Sequence, residues 1–306
     1  MWSSPIYSLP SFSRADNADR LVGKLAYDAP KRIAEDVFPL AFPSLARRGG
    51  SSRKGEGQGI PALAVLDVGC GTGLCGAHLS DRFSGMLSLF GCDISSKMVG
   101  IAGRRGCYEE AIVSDAVSYL GSPFRADVGA AGEATAAAAA AATTTTLTRR
   151  LDLGGAKSAA SGAATSTAPK AVDAIVAADV FPYVGDAEAI FAAAARRLVP
   201  GGVFIFTTEG LYGEGGADGA GTSSGGCSGG GGGGGGIGDG GGGSCVPEFM
   251  LRKTERFAHS RAYLARLCKE NGFDMELEQM IVLRMDDGRP INGDIVLART
   301  RPSPSN

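Results

Sequence analysis

"LDVGCGTGLCG", residues 66–76, sets four glycines within eight positions directly behind an apolar run. Two registers are available. Gly69, Gly71 and Gly73 form GxGxG, whereas Gly71, Gly73 and Gly76 form the GxGxxG of a dinucleotide-binding turn. Either one puts glycine where the backbone must come close to a ligand that a Cβ would block. The carboxylates around the loop decide what that ligand is.

On both sides of the loop the pattern alternates between strand and helix. "ALAVLDVG" is a short apolar run ending in glycine, the pattern of a buried parallel strand, and residues 72–82 follow as a helix. "GMLSLFGCD" reads as a second strand, "SSKMVGIAGRRG" as a helix with Ser95 at its N-cap, and "EEAIVSD" as a third strand ending at Asp115. "VDAIVAADV" is a fourth strand. After it come the helix "DAEAIFAAAARRLVPGG", stopped by Pro200 and Gly201, and the strand "VFIFTTE". "SRAYLARLCKENGF" is an amphipathic helix, and "MELEQMIVLRMDDGRPINGDIVLART" gives two strands about a turn at Asp287–Gly288. This predicts an α/β fold, a largely parallel sheet with helices on both faces, whose ligands bind at the carboxyl ends of the strands.

Around that domain the chain divides by composition. Residues 1–14 are a tail. Residues 15–48 read as helical, with Leu21, Leu25, Ile33 and Val37 near helical spacing and Pro30 marking a break between two short helices. Residues 49–59 are a basic, glycine-rich linker. The domain runs from 60 to 300, with low-complexity insertions at about 123–170, rich in alanine and threonine, and at 213–244, mostly glycine. Of 306 residues 48 are glycine, so the insertions supply little to a core; what remains is roughly one α/β domain.

Lys+Arg 30 against Asp+Glu 32 gives a formal charge of -2, so no general nucleic-acid-binding field is expected, while a local basic patch stays open. The seven cysteines form no CxxC pair, and His78 and His259 are the only histidines, which argues against a zinc site and a disulfide framework. No metal site is expected. Reduced thiols fit an intracellular compartment. No run reaches the ~18 apolar residues of a membrane span. The start, "MWSSPIYSLPSFSR", has no apolar signal region. A cytoplasmic location is expected; the Ser-rich stretch, free of acids until Asp16, leaves organelle targeting open.

In the dinucleotide register, Gly71, Gly73 and Gly76 would hold a pyrophosphate on the helix N-terminus, and Asp93, 20 residues beyond Gly73, would take the ribose hydroxyls. Asp67 opposes this. It ends the first strand just before the glycines and would face the phosphates in a poorly screened site. The same carboxylate suits a ligand with a cationic end. S-Adenosylmethionine carries an ammonium and a sulfonium and no phosphate. Asp67 would hold its amino-acid end, directly or through water, and the loop would pass under the methionyl portion. Asp93 would accept both ribose hydroxyls, and Asp115 would accept from the adenine amino group. Acids at the ends of three successive strands favour the methyl donor over the dinucleotide.

"VLDVGCGTG" resembles motif I of class I S-adenosylmethionine-dependent methyltransferases, and "GCDIS" their acidic strand-two motif. "AADVFPYVGD" and "LVPGGVFIF" resemble the fourth- and fifth-strand motifs. With "LVGKLAYDAP", "RFAHSRAYL" and "DDGRPINGDIVLART", the set resembles a type 11/12-like subgroup of predicted methyltransferases, some of which carry tetratricopeptide repeats ahead of this domain. No such repeat pattern is present in this sequence. The resemblance implies a Rossmann-like fold with a seven-stranded sheet ordered 3-2-1-4-5-7-6 and its last strand antiparallel. Residues and resemblance together give the expected cofactor contacts: Asp67, Gly69, Cys70, Gly71, Gly73, Asp93, Ile94, Met98, Asp115, Ala116 and Asp179.

Methyl transfer is an in-line displacement at an activated carbon, so a protein contributes alignment and exclusion of water. An acceptor with a proton to lose also needs a base. Candidates are His259, Tyr183 and Asp179. Each has a plainer reading: His259 as a packed histidine at a helix start capped by Ser260, Tyr183 as a wall residue, Asp179 as a cap or loop hydrogen bond. Cys70 and Cys75 read as small residues that fit beneath a ligand. Met98 reads as a helix residue packed on the sheet, or as lining for the adenine pocket. The expected partner is a small-molecule acceptor, with a protein side chain left open and neither nucleic acid nor membrane expected. Two other classes stay open: a catalytically silent S-adenosylmethionine-binding interaction module, and an NAD-dependent oxidoreductase.

Overall fold

The computed structural model describes residues 26–48, 62–121, 166–212, 246–286 and 288–302. The tail, the linker and most of both low-complexity insertions lie outside the described residues. β1 (Leu63–Val68) is central, flanked by β2 (Leu87–Asp93) and β4 (Val172–Ala177); β3 (Glu110–Val113) lies beyond β2 and β5 (Leu198–Gly210) beyond β4, all parallel. β9 (Arg289–Thr300) runs antiparallel to β5, from Val203↔Arg299 to Glu209↔Gly293, and β8 (Phe273–Asp286) pairs antiparallel with β9. The order β3–β2–β1–β4–β5–β9–β8 is the one expected, with the last strand in sequence antiparallel and inserted beside β5.

A short ribbon adds two strands that the alternation does not predict. β6 (Phe249–Leu251) pairs antiparallel with β7 (Phe257–His259), and β7 pairs parallel with the last two residues of β5. Because β9 occupies the other edge of β5 as far as Glu209, β7 lies on the β4 side. It takes up the edge that β4 vacates beyond Phe206. The ribbon thus stands at the carboxyl end of β4, where an α/β sheet binds its ligands.

Burial on both faces follows from the strand period. Leu66 and Val68 enter one cluster with Phe90, Phe191, Phe204, Phe206 and Tyr263. Val65 enters the other, with Ile33, Val37, Phe38, Leu79 and Phe83. Asp67, two residues beyond Val65, therefore faces the second side. That side is covered by α4 (Leu74–Arg82) and by an N-terminal run in which α1 (Ala29–Arg32) passes through a π-helical stretch, Ile33–Val37, into α2 (Phe38–Ala41) and then α3 (Pro43–Arg48). Phe38 seats this run on α4, its ring 5.3 Å from that of Phe83. α5 (Ser96–Arg104), α6 (Ala116–Gly121), α7 (Glu188–Arg197) and α8 (Arg261–Glu270) complete the layers.

The structure corrects several boundaries. Pro30 sits in the first turn of α1, where a missing N–H costs nothing; the helix expected before it lies outside the described residues. α7 ends at Arg197, before Pro200: Leu198 is already extended and β5 begins there, with Gly201 in the left-handed region. β3 stops at Val113, and Asp115 turns out to cap α6. The insertion predicted to run to 170 is too long at its end. The Ser166 hydroxyl donates to Glu110 Oε2 at 2.6 Å, and Ala168 is buried in the core. Ser95 and Ser260 cap α5 and α8 as expected, accepting from the Met98 and Tyr263 amides at 3.4 and 3.2 Å.

Candidate active site

The first loop settles its own register. Gly69, Gly71 and Gly73 take positive φ angles of 66°, 54° and 82°, so GxGxG is the backbone requirement. Gly76 is needed for another reason: a Cβ there would collide with the Tyr108 hydroxyl. That hydroxyl accepts the Gly76 amide at 3.2 Å and donates to Asp67 Oδ2 at 2.5 Å. The helix-start amide that a pyrophosphate would use is therefore taken by a tyrosine, with a carboxylate behind it. Nothing in the local pattern singles out Tyr108, because its partners lie far away in sequence.

Asp67 is almost fully buried, and its Oδ1 has no hydrogen-bond partner. Burial raises its pKa from 3.8 to about 7; the Tyr108 hydroxyl and Gly76 amide oppose the rise and Asp93 adds to it. Asp93 stands half-buried at the end of β2. Its Oδ2 accepts from the Gly71 amide at 2.9 Å and its Oδ1 from the Ser95 amide at 2.8 Å, which fixes the carboxylate against the loop. Each oxygen keeps acceptor capacity for a further donor. Burial raises its pKa, against those two amides.

Beside Asp93, Ile94 exposes 72% of its surface and Met98 is half-buried in the first turn of α5. Asp115 is exposed, and its Oδ1 accepts from the Ser118 amide at 2.9 Å, the N-cap bond of α6; Ala116 packs on the core next to it. Cys70 and Cys75 are buried and their thiols are pushed up in pKa, chiefly by burial, so they lack thiolate character.

The glycine loop meets the β4 loop directly: a Cβ on Gly69 would stand 2.5 Å from Val180 Cγ2. Asp179, just before it, has φ 57°, held by its amide bond to Thr207 Oγ1 at 2.8 Å. Its carboxylate lies 3.4 Å from Arg256 Nη1 and 3.7 Å from Arg284 Nη1. Burial raises its pKa against the pull of those arginines. Arg284 also pairs with the fully buried Glu209, and Arg252 Nη1 lies 4.0 Å from the other Glu209 oxygen. Tyr183 is half exposed, with the Arg256 guanidinium 4.8 Å over its ring. From the other side Tyr27 reaches in from the start of the N-terminal run. It packs against the apolar cluster on this side; burial raises the pKa of its hydroxyl, and Asp179, Cys75, Asp67 and Tyr183 add to the rise.

His259 is elsewhere. It is buried, with Nε2 2.9 Å from the Gly185 carbonyl and Nδ1 2.9 Å from Thr208 Oγ1. A carbonyl can only accept, so Nε2 carries the proton and Nδ1 accepts from the threonine. Its ring stacks on Tyr263, and burial lowers its pKa. The structure thus brings together Asp67, the glycines, Asp93, Asp179 and Tyr183, and leaves His259, the last residue of β7, in the aromatic core. Tyr27, Tyr108, Arg256 and Arg284 are the members that sequence inspection misses.

The sequence model of a methyltransferase-domain family matches residues 25–278, most of the chain. No curated protein matches it by sequence. Among solved structures it is similar to a SAM-dependent methyltransferase from Methanosarcina mazei, at 14% identity over 80% of this chain and 95% of that one, with a TM-score of 0.45. It is also similar to magnesium protoporphyrin IX methyltransferase from Synechocystis PCC 6803, at 14% identity over 89% and 97% of the two chains, with a TM-score of 0.41. An S-adenosylmethionine-dependent methyltransferase from Mesorhizobium loti matches at 16% identity over 84% and 96%, with a TM-score of 0.41.

Proposed function

The chain belongs to the methyltransferase-domain family and is a class I methyltransferase; on that premise we propose that S-adenosylmethionine is its methyl donor and a small molecule its acceptor. The observation that carries this reading is Asp67, a buried carboxylate with one oxygen lacking any hydrogen bond, set behind a glycine loop. An ammonium group supplies both the missing donor and the compensating charge, whereas a pyrophosphate would meet repulsion and an amide already taken by Tyr108.

The residues fit the methyl donor in other respects. Asp93 faces the loop with spare acceptor capacity for two adjacent hydroxyls, and Ile94 offers an exposed apolar surface at the rim to a flat base. Asp115 has one oxygen committed to capping α6 and the other available to an amino group. When bound, S-adenosylmethionine supplies a methyl carbon activated by its sulfonium. The chain supplies alignment: Tyr27 covers the site from the N-terminal run, and the β4 loop and ribbon wall its acceptor side. Where the acceptor carries a proton, Asp179 is the group assigned to take it, with a pKa raised by burial and an orientation fixed by Arg256 and Arg284. Tyr183 lines the mouth. His259 is given no part, since both ring nitrogens are engaged away from it.

Calorimetric titration with S-adenosylmethionine, S-adenosylhomocysteine and NAD tests the donor. Micromolar binding of the first two and none of NAD is expected; binding of NAD alone overturns the reading. Asp93→Ala should weaken S-adenosylhomocysteine binding at least about tenfold, through loss of charge-assisted bonds to the ribose.

A further inference from the structure

Three guanidinium groups gather at the acceptor end of the site. Arg284 comes from β8, and Arg252 and Arg256 come from the turn of the β6–β7 ribbon, which the Arg252 amide closes by donating to the Arg256 carbonyl at 2.8 Å. Two carboxylates, Asp179 and Glu209, face them. The turn's own Lys253 and Glu255 are exposed and cancel one another. Positive charge is thus in excess by one where three arginines meet two acids.

The arginines also keep unused donors. Arg284 is only 5% exposed, yet its Nη1 makes no hydrogen bond; Asp179 Oδ1, 3.7 Å away, and Glu209 Oε2, 4.0 Å from Arg252 Nη1, make none either, so donors and acceptors here stand apart rather than closing on one another. A buried donor left in this state is costly unless something else accepts from it. Arg256, partly exposed, donates one N–H to Asp179 and stands 4.8 Å over the Tyr183 ring. Arg252 uses one on the Gly210 carbonyl. This is the donor set of a carboxylate or phosphate site.

We propose that the acceptor is an anion, a small molecule whose carboxylate or phosphate is held by Arg256 and Arg284 beside Asp179 and Tyr183. The inference rests on the methyl-donor reading for its context, since it assigns the second substrate of the same site. The arginines then hold the anionic group next to Asp179 and Tyr183, and the rest of the molecule extends from there toward the methyl donor. The two arginines also give this chain a way to reject a neutral analogue of the same shape, which would leave both of them unpaired.

The test uses the full-length protein saturated with S-adenosylhomocysteine and titrated by calorimetry with three probes of similar shape: benzoate, phenyl phosphate and benzamide. At least one anion should bind about tenfold more tightly than benzamide, and which one wins separates carboxylate from phosphate. Arg256→Gln, at a partly exposed position, should erase that preference, and the S-adenosylhomocysteine affinity of the same variant shows that the cofactor half is still formed. Arg256→Lys should restore only part of it, because an ammonium cannot bind an oxyanion pair bidentately. Equal binding of benzamide and the anions, absence of anion binding, or a preference that survives Arg256→Gln overturns the proposal. A failure of the methyl-donor reading shows separately, as no binding of S-adenosylhomocysteine in the first titration.

Discussion

At Asp67, burial and ligand binding act on the same proton. Burial lifts the carboxyl from 3.8 to about 7, so a proton and a cationic ligand compete for it near neutral pH. The folded state then binds more protons than the unfolded chain between those two values, and this group's contribution to stability falls as pH rises through that window. Cofactor binding has the opposite slope, because a cation recruits the ionised form. Affinity for S-adenosylmethionine should rise roughly 100-fold from pH 5 to pH 8 and level off above it. Titrations across that range check this, and a flat profile would remove Asp67 from the ammonium. Tyr108→Phe deletes one of the two bonds that favour the ionised carboxylate and leaves the Gly76 amide acting on it alone. It should weaken binding about tenfold at pH 7 and move the rise to higher pH. A variant with unchanged affinity and midpoint would make Tyr108 a packing residue only.

The N-terminal run shows how an element far from the motif enters the site. Phe38 is fully buried against Phe83, the residue that ends α4, and Tyr27, just ahead of the same run, packs on the same cluster. Phe38→Ala should cost about 3 kcal/mol of unfolding free energy and, by loosening the run, also weaken cofactor binding. Denaturant melts and titrations of the same variant read both effects; a stability loss with unaltered affinity would separate Tyr27 from the site. The helical character of this run was legible from its apolar spacing, but its docking on α4 was not, since spacing says nothing about which neighbour a face meets. The principal strands were legible because parallel strands buried on both faces are continuous apolar runs: "ALAVLDVG" announces itself. The β6–β7 ribbon was not. Its strands are three residues each, it follows a glycine tract, and its stability comes from pairing with β5 and from His259, all remote contacts. For the same reason "RFAHSR" reads both as a base and as a packed histidine at a helix start, and only remote contacts distinguish the two. Held neutral by burial, His259 contributes stability that is complete above its ordinary value of 6.5 and is lost as pH falls below it. His259→Gln should flatten that acid limb in pH-dependent melts, and an unchanged limb would assign it to other groups.

Across the whole molecule the site is divided by charge. Acids stand at the ends of β1 and β2 and at the start of α6, and arginines gather beyond β4 and β5, on a chain whose formal net charge is only -2. A cationic donor and an anionic acceptor would each meet its complement and reach the other across the Gly69–Val180 contact. The glycine-rich insertion predicted at 213–244 leaves and re-enters this architecture at one place. The Leu211 amide donates to the His259 carbonyl at 2.8 Å, and the Ser260 amide donates to the Glu248 carbonyl at 2.8 Å, so the flanks of the insertion are tied to consecutive residues at the end of β7. The junction therefore does not depend on the insertion's length, and a shorter connection spans it without moving the ribbon that carries Arg252 and Arg256. Loop-closure entropy grows slowly with length, so replacing residues 214–244 with a short Gly-Ser linker should stabilise the fold by about 1 kcal/mol. Cofactor affinity should be unchanged, and so should any preference for benzoate or phenyl phosphate over benzamide. Melting and calorimetry on the shortened chain decide it: a lost anion preference with intact cofactor binding would mean that the insertion, rather than strand pairing, sets the position of the ribbon.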